Sequence, residues 1–186
     1  MLHSTARRLL DDFRLLHASR LEVDEHHAEA LSISEKVLAS LAIEMALKGA
    51  LRGNGWCEAH LSGRARPKSM AIGHDILKAY ALVQKAGLLT PPADAELEQS
   101  VVEWLGALWK ARLVPYIRQG LYREPPDAPD LALGVVTRIV EMTQQHCSDQ
   151  RDRHRIQLDD TREPIPAEVI VGQGCGCPIP DEQCER

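Results

Sequence analysis

Arginine and tyrosine interleave late in the chain, at Arg112, Tyr116, Arg118, Tyr122 and Arg123. A guanidinium fork holds phosphate through paired hydrogen bonds, and a tyrosine ring stacks on a nucleobase, so this run is the main sequence candidate for an RNA or nucleotide contact. It reads equally well as the end of an amphipathic helix, with arginines paired to acids that outnumber the basic residues 27 to 22. Arg64 and Arg66, with Lys68 beside them, offer a second basic element in a Gly- and Pro-containing stretch. His74, inside Gly73-His74-Asp75, could donate to a phosphate beside a helix amino terminus. The competing reading makes His74 or Asp75 a helix cap. Glu44 and Lys48 stand one helical turn apart, which an ordinary surface or half-buried ion pair explains.

The residue types and spacings alone leave the catalytic residues unassigned. Cys175, Cys177 and Cys184 carry zinc-competent ligands, but they lack the paired Cys-x-x-Cys knuckles of structural sites. Nothing resembles a phosphate loop or a nucleophile–His–acid arrangement, and no metal or cofactor is expected.

Hydrophobic content of 44% over 186 residues suffices for one core, and only 4% of residues are aromatic. Ala- and Leu-rich composition of this kind favours packed helices over a sandwich. A net charge of −5 excludes a protein that coats nucleic acid by bulk electrostatics. No apolar run approaches the roughly 20 residues that a membrane span needs. Five cysteines, an odd number without regular spacing, suit a reducing compartment, and a cytoplasmic protein is expected.

The elements that must position these residues follow from apolar spacing. A first helix is expected to about Ser19, with a possible continuation to Ala30. A second is expected to open on Ser32, with Glu35 completing a capping box, and to exit at Gly53 and Gly55. Residues 54–72 read as an exposed loop, followed by a helix from about His74 to Ala86 that Gly87 ends. Asp94 caps the next helix, and Pro115 should kink or stop it. A last helix is expected over about Asp130–His146. The expected core includes Leu41, Met45, Ile76, Tyr80, Trp104, Leu105 and Leu108. Residues 1–148 form the expected bundle, and 149–186 form a charged linker with a Cys/Gly tail.

Three segments, Ala42-Ile43-Glu44-Met45-Ala46-Leu47-Lys48, Gly73-His74-Asp75-Ile76-Leu77 and Trp109-Lys110-Ala111-Arg112, resemble the helical core of HEPN-domain proteins over about residues 5–145. That resemblance implies an all-α, HEPN-like antiparallel bundle of about five helices with an irregular C-terminal tail. Its functional neighbourhood is defence, toxin–antitoxin and mobile-element systems. Ribonucleases of the family carry an arginine followed shortly by a histidine near the last core helix. The matching run here, from Arg112 to Arg123, has three arginines and no histidine. The resemblance therefore implies RNA or nucleotide binding with little or no cleavage. Two alternatives stand beside it: a dimeric interaction module with a cognate protein partner, and a metal-independent ribonuclease using Arg20 and His26. A homodimer is expected from the family and from apolar residues Trp109, Leu113 and Ile117.

Overall fold

The computed structural model describes residues 2–64, 71–110 and 128–160. Among these there is no strand, and the element order is α1 (Leu2–Arg20), α2 (Glu25–Gly53), α3 (Glu58–Leu61), α4 (Ile76–Lys85), α5 (Ala95–Lys110) and α6 (Ala128–Asp160). The expected all-α class is observed, with six helices among the described residues where about five were expected. No helix among the described residues is long and apolar enough to cross a membrane.

Every other helix packs on α2. From Ala39 to Leu51 it is enclosed on nearly all sides, with only Leu41 and Met45 half-buried. A helix buried all round cannot show one apolar stripe. Its composition follows from crowding instead: Ala39, Ser40, Ala42, Ala46, Gly49 and Ala50 let neighbouring helices approach closely. At Gly49 a Cβ would lie 2.7 Å from Nε2 of His3 on α1, so the imidazole would have to shift if a side chain stood there. The flanking helices are one-sided. Ile76, Ala79, Tyr80 and Val83 of α4 are buried at helical spacing, as are Val101, Trp104, Leu105 and Leu108 of α5 and Ala132, Val136, Ile139 and Val140 of α6. Five of the seven expected core residues are buried; Leu41 and Met45 instead sit half-buried at its margin.

Two helix starts match their sequence signals. Asp75 Oδ1 accepts from the Lys78 amide at 3.1 Å and caps α4, and Asp94 Oδ1 accepts from the Leu97 amide at 2.9 Å and caps α5. Gly87, at φ +67°, takes the left-handed exit from α4.

Three expectations are corrected. α2 opens at Glu25, not at Ser32, because Asp24 caps it by accepting from the His27 amide at 3.1 Å. Ser32 then lies inside the helix, where its amide needs no cap, and Glu35 turns to other partners. The stretch read as an exposed loop contains α3, with His60 and Leu61 buried, and the Ile72 amide donates to the His60 carbonyl at 2.8 Å. Four residues are too few to display a helical period. The last helix does not stop near His146 but continues to Asp160. No glycine or proline occurs between Gly134 and Pro164, so nothing local breaks it. Pro115 lies outside the described residues.

Candidate ligand cleft around Glu44

Glu44 projects from the middle of α2 and is 1% exposed. A carboxylate so deep in the bundle must be compensated. Three segments supply donors. Lys48, one turn on, donates from Nζ to Oε1 at 2.6 Å. His74 Nδ1 lies 3.0 and 3.1 Å from the two carboxylate oxygens. Trp109, in the last turn of α5, donates from Nε1 to Oε2. Since the carboxylate only accepts, Nδ1 carries the proton and Nε2 is the acceptor of a side chain that is 67% exposed. The His74 and Trp109 rings meet edge to face at 6.2 Å.

The backbone around His74 explains how it is held. Gly63 and Gly73 both have positive φ, and a Cβ on Gly63 would come within 3.0 Å of Gly73 Cα, so the two loop segments cross where only glycine fits. Lys78 reaches back from α4 and donates to the Ala71 carbonyl at 2.6 Å. Asp75 then starts α4, which leaves His74 just outside the helix and turned toward α2.

These groups border a cleft of about 300 Å³. Leu2, Met45 and Leu61 line its apolar part, and Glu44, Lys48, Glu58, Ser62 and His74 its polar part. This is the lower end of the size range for small-molecule sites. Glu58 is offset by Arg52 at 3.4 Å, as Glu44 is by Lys48, so Lys48 is the donor at the cleft, while His74, whose Nδ1 proton goes to Glu44, offers Nε2 as an acceptor. Ser62 Oγ is turned to the Ala59 carbonyl at 3.5 Å.

Other charged clusters cross-tie helices. Glu98 on α5 accepts from Tyr80 of α4 at 2.5 Å and from Nε and Nη2 of Arg138 on α6. Burial, then the hydrogen bond to Glu98, pushes the Tyr80 phenol well above its ordinary value, and Glu98 raises the Arg138 guanidinium. At the opposite half of α2, Glu35 is 3.0 Å from Arg20 Nε and 3.3 Å from His17 Nδ1, and His17 Nε2 meets Asp130 at 2.8 Å.

The expected site residues divide accordingly. His74 is at the cleft, oriented by Glu44, while the capping role belongs to Asp75. The Glu44–Lys48 pair is buried and part of a larger cluster. Arg20 is engaged with Glu35, and His26 is in the first turn of α2. Arg64 is exposed at the end of the segment following α3. Arg66, Arg112, Tyr116, Arg118, Arg123, Leu113, Ile117 and the cysteines at 175, 177 and 184 lie outside the described residues. Trp109, read from sequence as surplus apolar surface, instead closes the Glu44 cluster. Among the described residues no group of three or more His, Cys, Asp or Glu side chains is placed to hold a metal ion. Searches against protein-family models, curated proteins and solved structures return no match to the chain.

Proposed function

We propose that this chain is a HEPN-like bundle that binds RNA or a nucleotide without efficient cleavage, in a defence, toxin–antitoxin or mobile-element setting. One observation carries the reading. The three segments that resemble the family, 42–48, 73–77 and 109–112, meet at a single carboxylate, through Glu44, His74 and Trp109. The meeting point opens to a cleft where Lys48 can donate to a phosphate and His74 Nε2 can accept from a base edge. Arg64 follows α3, which contributes Leu61 to the cleft, and Arg112 comes three residues after Trp109, the donor to Glu44.

Fluorescence anisotropy with labelled single-stranded RNA and with mononucleotides tests this. Affinity should fall with salt at about one log–log unit per phosphate contact. Arg112→Ala with Arg118→Ala should abolish it at unchanged helix content, and the RNA should remain intact. No binding to either probe at low salt sinks the proposal; metal-independent cleavage lost in His26→Ala moves it to the ribonuclease alternative.

The second reading, a dimerising interaction module, is favoured by Leu15 and Leu21, each 68% exposed, and Val23 at 42%, around the turn from α1 to α2. Exposed leucines this close in sequence can form a contact surface. Light scattering at micromolar concentration should then give a dimer that Leu21→Asp converts to monomer.

A further inference from the structure

Among the described residues, two thiol–imidazole pairs share a geometry and differ in access. Cys147 of α6 lies 2.9 Å from Nε2 of His3, but it is 8% exposed beneath α1 and α2. Cys57 precedes α3, its Sγ lies 2.9 Å from Nδ1 of His60, and it stays partly exposed. His60 is fully enclosed, with Trp56 edge-on to its ring at 5.8 Å, so the imidazole cannot swing away from the sulfur. An imidazole at this distance is placed to take the thiol proton as the sulfur attacks an electrophile, acting as a general base. The neighbouring carboxylate of Glu58 is offset by Arg52. Cys57 therefore combines a fixed base with access, and Cys147 has only the base.

We propose that Cys57 is a thiol-modification site, oxidised by peroxides, and that its modification displaces the cleft wall carried by α3. The proton passes from Sγ to His60 Nδ1, and the thiolate attacks one oxygen of a hydroperoxide. The S–O bond forms as the O–O bond breaks, and the departing hydroxide or alkoxide takes the proton from His60. Sulfur ends as sulfenic acid and the peroxide as water or an alcohol. Oxidation enlarges the side chain and replaces the thiol proton that Sγ holds against an enclosed ring at 2.9 Å, so it disturbs the Cys57–His60 contact. Cys57 also holds the start of α3, since its carbonyl accepts from the Leu61 amide, and Glu58, Leu61 and Ser62 line the cleft. This proposal is independent of what the cleft binds.

The intact protein is treated with iodoacetamide at neutral pH, and the adducts are mapped by mass spectrometry against an unstructured peptide spanning Cys57. Cys57 should react about fivefold faster than the peptide, with Cys147 slower than both. After hydrogen peroxide, dimedone should trap the sulfenic acid at Cys57, and Cys57→Ser should remove that adduct. In fully modified protein, amide exchange at Leu61, Ser62 and Ile72 should speed up by about tenfold. A Cys57 rate equal to the peptide's, or faster reaction at Cys147, overturns the site. Unchanged exchange in the modified protein overturns the coupling to α3. His60→Gln should return Cys57 to the peptide rate; if that variant fails to fold, the wild-type ratio decides alone.

Discussion

Glu44 matters more than its position in the sequence suggests, because it is one acceptor shared by three donors and shut away from water. Replacing it with Ala leaves Lys48, whose side chain is 10% exposed, as a buried cation with no counter-charge. Breaking such a pair from one side costs about 3–5 kcal/mol. Glu44→Gln keeps the shape and an acceptor, and it should cost less, about 1–3 kcal/mol. Lys48→Met in the Gln background should recover most of that loss, since a buried pair can be exchanged for apolar groups at little net cost. Urea denaturation of the four proteins checks the series; a neutral Glu44→Ala would mean the cluster is not buried in solution. The sequence shows the Glu44–Lys48 spacing and sets His74 beside a helix start. It could not show that Trp109, 65 positions away, completes the set, because no local pattern encodes that contact. A usable signal was present all the same: Glu44 is flanked by Ala42, Ile43, Met45, Ala46 and Leu47, an apolar setting in which an unpaired carboxylate would be costly.

Among the elements, those with unambiguous punctuation were legible and those with competing signals were not. Asp75, Gly87 and Asp94 mark ends that the structure shares. Ser32 and Glu35 also match a capping box, yet the residues before Ser32 sustain a helix too, and Asp24 offers a cap eight positions earlier. A capping motif stops nothing upstream of it; only a residue that cannot be helical does. Asp24→Ala should therefore cost about 1 kcal/mol through the lost bond to the His27 amide. Ser32→Ala, inside α2, should stay within about 0.5 kcal/mol. Thermal unfolding of the two variants separates the starts, and the opposite order of costs would restore Ser32 as the cap. The late extension of α6 follows the same logic: apolar spacing is lost after Gln144, but ending a helix takes a breaker. Val140, Thr143 and Cys147 are buried, and no glycine or proline follows before Pro164.

Across the whole molecule, α2 supplies the enclosed axis, and polar ties fasten the outer helices to one another. Arg7 and Arg14 of α1 meet Glu141 of α6 at the surface, whereas Tyr80, Glu98 and Arg138 join α4, α5 and α6 beneath it. The second tie matters more for stability, because Tyr80 is 1% exposed and Glu98 is 2% exposed. It also gives the bundle a pH signature. The folded Tyr80 phenol holds its proton above the ordinary tyrosine value, while in the unfolded chain it ionises near pH 10. Its contribution is fully present below that unfolded value and is lost as pH rises toward the folded one. Stability should therefore be flat in this term at neutral pH and fall above about pH 10, by up to about 1.4 kcal/mol per pH unit from this one proton. Tyr80→Phe should lose about 1–2 kcal/mol at neutral pH, through the acceptor left short on Glu98. The gap between wild type and Tyr80→Phe should then narrow as pH is raised, because only wild type still has that proton to lose. Urea midpoints taken from neutral to strongly alkaline pH measure the gap directly, and a gap that stays constant or widens would show that the phenol ionises in place without the tie to Glu98.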